Sequence, residues 1–328
     1  MAPAEEYGII GAGAVGLAVA SHLHRAGVGV RLVARPAAAE ALRRDGIHRS
    51  GAFGAHHVPP DEISIDEHPT AWWGRPLTAI LVCAKTFASQ EIAEDLAPTW
   101  ESLSALAPVV LFQNGWGTAE IFARSLPARR VFNARIITGF RKRGDTGSEV
   151  TVHADALKIG SLHGADPEEL APLAAALTRG GFPTETTAEI GRDLWAKLLY
   201  NCALNPLGAL RGATYGELAE CEDARAIMRG VVFEVFAAMR AEGWQTWWRR
   251  PGDFLADFYD RIIPPTASHE SSMLQDLRAG RRTEIEFLSG AIVRIGVRRG
   301  VETPVNTALR DLVLAIEERR LGRSGDGL

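Results

Sequence analysis

The sequence predicts an α/β domain built on a parallel sheet, followed by an all-helical domain. Three observations carry this: a glycine-rich turn between an apolar strand and a helix near the start, continuous apolar runs of strand length through the first half, and helical periodicity alone beyond Ala188. With 328 residues the chain is long enough for two cored domains. The change of character places them at 1–187 and 188–328.

Tyr7-Gly8-Ile9-Ile10 reads as the first strand, and Gly11-Ala12-Gly13-Ala14-Val15-Gly16 follows it directly into an Ala/Val/Leu-rich helix ending near Gly27. Each glycine has a separate task. Gly11 makes the sharp turn, Gly13 lets the backbone approach a pyrophosphate, and Gly16 lets the helix pack closely on the strand. The unpaired N–H groups of the helix start then face the phosphates, so the segment reads as a Rossmann-type dinucleotide site. Val28 to Val33 forms the second strand and ends at Ala34-Arg35, with no acid there for a ribose 2′-hydroxyl. Arg35 instead offers a guanidinium fork for a 2′-phosphate, which points to NADPH rather than NADH.

Ala38 to Arg44 reads as a short helix, and His48 to Asp66 as small strands or loop. Leu77 to Cys83 and Pro108 to Phe112 are continuous apolar runs, the pattern of parallel strands covered on both faces. Lys85-Thr86 follows the first and Gln113-Asn114-Gly115 the second, at the strand ends where open α/β sheets bind ligands. Val131 to Thr138 gives another strand. Glu149 to Val152 and Leu157 to Gly160 read as an antiparallel pair closing the sheet, Pro167 to Thr178 as a helix, and Phe182 to Thr187 as a last strand. Gly322 to Leu328 reads as a frayed tail.

A formal charge of −4 with no block of basic residues gives no footprint for nucleic acid. The N-terminal residues lack a basic and apolar leader, and no apolar run is long enough to span a bilayer, so a cytoplasmic protein without a membrane partner is expected. Cys83, Cys202 and Cys221 are odd in number and far apart, which argues against a disulfide framework. His56-His57 has no cysteine or carboxylate at ligand spacing, so no metal is expected.

Two polar constellations stand out in the second half. Lys197, Asn201 and Asn205 are spaced i, i+4, i+8, which on a helix rotates each only about 40° from the last and forms one polar stripe on an otherwise apolar element. Pro206 predicts that this helix kinks or ends at Asn205. Ser272 and Glu284 would lie about 18 Å apart on one straight helix, too far to share a small substrate. Gly280 can end that helix, and Thr283 with Glu286 reads as a capping box that starts another, leaving Glu284 in its first turn.

These segments, with Trp195-Ala196-Lys197-Leu198, Asn205-Pro206-Leu207, Ser272-Met273-Leu274-Gln275-Asp276, Thr283-Glu284-Ile285 and Thr303-Pro304-Val305-Asn306, make the chain resemble the ketopantoate reductase family, NADPH-dependent 2-dehydropantoate 2-reductases and their paralogues. The resemblance spans nearly the whole chain in order and spacing. It implies a Rossmann domain followed by an all-helical domain like the C-terminal domain of 6-phosphogluconate dehydrogenase, with a small carbonyl substrate held between them. It implies further that Lys197 is the general acid, that Lys85 and Asn114 contact the cofactor near the substrate, and that Asn201, Asn205 and Ser272 hold the substrate. Glu284 would bind a substrate hydroxyl and help place Lys197.

The chain departs from that pattern at three places. Tyr215 stands ten residues after Asn205, where relatives that reduce ketopantoate can carry a substrate-binding Asn, and Arg135 to Phe140, including Ile137, replaces a Thr-rich segment usual in the family. Trp244, Trp247 and Trp248 are an unusual aromatic cluster. Packing, or the interface of a homodimer, accounts for them better than a wider substrate pocket. Reduction of ketopantoate to pantoate is the leading expectation. A paralogue acting on another 2-oxo acid, ketone or imine, and an NADP-binding sensor without turnover, are the alternatives.

Overall fold

In a computed structural model the described residues are 5–102 and 107–323, and they form two compact units. The first comprises Met1–Gln113 and Thr118–Ile190; the second comprises Asn114–Gly117 and Gly191–Leu328.

The first unit contains, in chain order, β1 (Glu6–Ile10), α1 (Ala14–Arg25), β2 (Gly29–Val33), α2 (Pro36–Asp45), β3 (Ile47–Gly51), β4 (His56–Val58), β5 (Ser64–Asp66), β6 (Ala79–Val82), α3 (Ser89–Ser102) and β7 (Val109–Leu111). After the Asn114–Gly117 segment come α4 (Thr118–Ser125), β8 (Val131–Arg135), β9 (Thr138–Arg143), β10 (Gly147–His153), β11 (Leu157–Gly160), α5 (Ala171–Arg179) and β12 (Thr184–Thr186). The large sheet runs β12-β11-β8-β7-β6-β1-β2-β5. Its run from β5 to β8 is parallel throughout, in the order 3-2-1-4-5-6 of a doubly wound dinucleotide fold. Both faces are buried: Tyr7, Ile9 and Leu81 enter one apolar cluster, and Ile10, Ile80 and Val82 enter the other. Continuous apolar strands follow from this, because neither face meets water.

Glu149 to Val152 and Leu157 to Gly160 do not pair with each other. Strand β10 joins a separate sheet, β4-β3-β10-β9, beside β3 and β9, whereas β11 adds antiparallel to β8. The second sheet packs on α1, where the Ser148 hydroxyl donates to the Ala14 carbonyl. At the far end of α1 the buried ring of His22 lies between Phe53 and Phe182, each 5.2 Å away.

The second unit is helical: α6 (Ile190–Arg211), whose first residue closes the preceding unit, then α7 (Tyr215–Glu220), α8 (Glu222–Ala241), α9 (Pro251–Asp257), α10 (Ser272–Arg278), α11 (Ser289–Arg299) and α12 (Pro304–Arg323). Asn201 to Ala209 of α6 are buried without a break, and the helix continues through Pro206 instead of ending there. Packing on all sides outweighs the hydrogen bond that proline removes. Glu234 on α8 accepts from the Val305 and Asn306 amides at 2.8 and 2.9 Å, which places a carboxylate at the start of α12. Helix α12 carries Gly322 and Arg323, so the chain is not frayed at those two residues as expected; the rest of that expectation, residues 324–328, lies outside the described ones. No helix among the described residues is long and apolar enough to cross a membrane.

Candidate active site

The glycine turn is shaped by what its backbone can and cannot admit. Gly11 has φ +110°, and a Cβ there would stand 2.7 Å from the Ala84 nitrogen, so the turn presses on the segment that leads to Lys85. A Cβ on Gly16 would meet the Gly11 carbonyl oxygen. Gly13 has nothing within 4 Å of such a Cβ. Closed positions on either side of an open one are what a pyrophosphate needs to reach the amides at the start of α1, which has no side-chain cap. The residues therefore fit a dinucleotide. Arg35 is exposed at the start of α2, and Lys85 precedes a short 3-10 turn after β6.

The polar stripe of α6 belongs to the helical unit, and so does Asn114. Lys197 Nζ donates to Asn114 Oδ1 at 2.6 Å, and Asn114 Nδ2 donates to Glu284 Oε2 at 3.5 Å. Asn114 thus bridges an ammonium and a carboxylate that come from two distant stretches of chain. A small cavity beside this bridge is lined by Asn114, Asn205, Ser272, Met273, Asp276, Glu284 and Leu288. Asn201 is buried one turn along α6 from both Lys197 and Asn205. Every residue of the helical unit singled out for chemistry from sequence lies at this bridge, on this cavity wall or on the helical turn between them.

The capping box at Thr283 is not formed. The Thr283 amide donates to Glu317 Oε1 at 2.7 Å, and Glu286 instead receives Arg294 at 3.1 Å. Glu284 precedes a single 3-10 turn, Ile285–Phe287, rather than sitting in the first turn of an α-helix. The break after α10 remains, with Gly280 at φ +63°, and it brings Ser272 and Glu284 to one cavity.

Sequence reasoning passed over Trp116, whose backbone amide anchors the segment that carries Asn114. Gly115 has φ +92°, and a Cβ there would collide with the Phe287 carbonyl oxygen, which accepts from the Trp116 amide at 2.8 Å. The buried Trp116 indole lies 4.5 Å from the Trp195 ring and 5.3 Å, edge-on, from Trp244. Gly191 makes room for Trp244, since a Cβ would stand 2.4 Å from its ring. Trp116 sits between two glycines, Gly115 and Gly117, and that Gly-Trp-Gly pattern was the available signal. Of the other two indoles, Trp247 is 49% exposed and Trp248 is half-buried. Trp247 donates to Asp193 at 3.1 Å, and Trp248 donates to Asp257 at 2.7 Å. None of the clustered tryptophans lines the cavity.

Tyr215 is buried, with its hydroxyl donating to Asn205 Oδ1 at 2.9 Å. Its ring lies edge-on to Tyr200 at 5.5 Å and against His269 at 5.2 Å.

Comparison with known proteins identifies the family and the fold. Residues 7–164 match the family described as ketopantoate reductase PanE/ApbA, and residues 189–317 match its C-terminal domain. The chain is 32% identical to the 2-dehydropantoate 2-reductase of Aquifex aeolicus over 314 residues, covering 94% of this chain and 96% of that one. The Archaeoglobus fulgidus enzyme of the same name is 30% identical, covering 94% and 97%. Among solved structures, a PanE/ApbA family ketopantoate reductase from Ralstonia eutropha superposes with a TM-score of 0.82 at 34% identity, covering 96% and 99% of the two chains. A D-mandelate dehydrogenase solved with NADH and anilino(oxo)acetate superposes with a TM-score of 0.83 at 21% identity, covering 96% and 99%, which speaks for the fold alone.

Proposed function

The chain belongs to the ketopantoate reductase family, oxidoreductases acting on a C=O/CH–OH group, and from that premise we propose that it reduces 2-dehydropantoate to pantoate with NADPH. The observation that carries this reading is the Lys197–Asn114–Glu284 bridge beside a cavity walled by Asn205 and Ser272.

When bound, the reduced nicotinamide supplies a hydride to the carbonyl carbon. Lys197 Nζ gives a proton to the oxygen that becomes the hydroxyl. Asn114 holds that ammonium in place through Oδ1, and the Glu284 carboxylate at the far end of the bridge offsets its charge. An ammonium aimed at a developing alkoxide stabilises it by up to about 3 kcal/mol per donor in comparable sites. Asn201, Asn205 and Ser272 hold the substrate. Arg35 takes the 2′-phosphate, because β2 ends without an acid that would select the unphosphorylated ribose. Replacing Lys197 by Ala lowers turnover, read as loss of absorbance at 340 nm, by about a thousandfold while NADPH still binds. A variant with full activity removes the assignment.

One observation favours a second substrate within the same chemistry. Tyr215 is a phenol at the position where the family resemblance implies a substrate-binding Asn, which makes another 2-oxo acid the second reading. A panel of 2-oxo acids against wild type, compared by kcat/KM, separates the two.

A further inference from the structure

The side chains of the cavity wall divide by what they offer a ligand. Asp276, paired with Arg281 Nε at 3.0 Å, and Glu284 are carboxyl groups that accept hydrogen bonds when ionised. Asn114 has both ends of its amide engaged by Lys197 and Glu284, and Met273 and Leu288 are apolar. Among the described residues, the side-chain donors on this wall without a hydrogen-bond acceptor are the Asn205 amide and the Ser272 hydroxyl. They adjoin, because Ser271, one residue before Ser272, donates its hydroxyl to the Asn205 backbone carbonyl at 3.4 Å. An anionic group therefore finds its hydrogen-bond donors at this corner and not at the carboxylates elsewhere on the wall.

Which end of the Asn205 amide meets the cavity depends on Tyr215. The phenol is 3% exposed and wedged between Tyr200 and His269, so it cannot turn to solvent. Burial pushes its ionisation well above the usual phenol range and keeps the hydroxyl a donor. Asn205 Oδ1 is its hydrogen-bond partner among the described residues. A flipped amide would face the phenol with an N–H, leaving the phenolic hydrogen buried without an acceptor.

We propose that Tyr215 is a specificity-determining positioning residue: by donating to Asn205 Oδ1 it turns the Asn205 NH2 into the cavity and makes the Asn205–Ser272 corner the receptor for the substrate carboxylate. The proposal rests on the 2-oxo acid reading above. It adds that the residue differing from the family pattern is the one that sets the preference for an acid over a neutral ketone.

The test is binding rather than turnover. Titration calorimetry of the NADP+-loaded protein compares pantoate with its primary amide, in wild type, Tyr215→Phe and Asn205→Asp. Wild type prefers pantoate. Tyr215→Phe weakens pantoate about tenfold, the scale of one hydrogen bond to a charged group, and leaves the amide within about twofold. Asn205→Asp keeps the phenol bond but turns an oxygen into the cavity, so pantoate weakens about a hundredfold and the amide far less. Asn205→Asp tests the corner and not the phenol, so if Tyr215→Phe fails to fold, Tyr215→Leu and Tyr215→His take its place: selective weakening of pantoate over the amide in either supports the proposal, and equal affinities overturn it. A wild type indifferent to the charge, or variants that weaken both ligands equally or neither, overturn the proposal. NADPH oxidation by ketopantoate, run on wild type in parallel, reports on the reductase reading separately: no oxidation with an intact acid preference sinks that reading and leaves Tyr215's role standing.

Discussion

The two units build their binding elements from different materials. The first relies on backbone: at Gly11, Gly13 and Gly16 the question is where a Cβ is forbidden and where it is merely in the way. The second relies on side chains, and Lys197, Asn114, Glu284, Tyr215 and Asn205 are each defined by the partner that holds them. Backbone elements fail all at once when a side chain is added, whereas side-chain elements degrade by degrees as single bonds are removed.

That contrast can be broken most directly at Gly13. Because its Cβ position is open, Gly13→Val leaves the fold intact and fills the approach to the helix start. NADPH affinity, by fluorescence titration, falls at least about a hundredfold while the melting temperature moves by less than about 2 °C. A large loss of stability with no loss of affinity would mean the turn is structural only. A smaller effect is expected from Arg35→Ala, since it removes one side chain from an otherwise backbone site. The preference for NADPH over NADH drops about tenfold, and an unchanged ratio would withdraw the phosphate role.

The smallest effect belongs to the other end of α1. Burial, ahead of the neighbouring Arg49, Arg25 and His56 charges, lowers the His22 ionisation from 6.5 to about 4, despite its hydrogen bond to the Gly180 carbonyl. Between those values the unfolded chain holds one more proton than the folded one, so stability declines as pH falls through 6.5 toward 4. The loss from pH 7 to 5.5 comes to about 1 kcal/mol, measured by urea unfolding, and His22→Gln flattens it. An unaltered slope in that variant would show that the buried ring does not titrate as described.

Much of the molecule was legible in the sequence because its signals are local. The glycine turn and the apolar strands of the parallel sheet are written in consecutive residues, and the i, i+4, i+8 stripe needs only that α6 be a helix. The misreadings share the opposite property. Strand β10 chose β3, from about a hundred residues earlier, over the nearby β11. The Thr283 amide went to Glu317 instead of Glu286, and α6 ran through Pro206 because distant packing overrode a local rule. Trp116 carried no periodicity, so its ring contacts with Trp195 and Trp244 were invisible until the chain was folded.

The membership of Asn114–Gly117 in the helical unit has a consequence for anyone recombining such proteins. A chimera that transplants a foreign C-terminal half at residue 188 inherits the recipient's Asn114 and Trp116, which must then dock on a new Phe287 and Trp195. The seam of a working graft is therefore discontinuous, with four residues from the middle of the donor's first half travelling along with its helices.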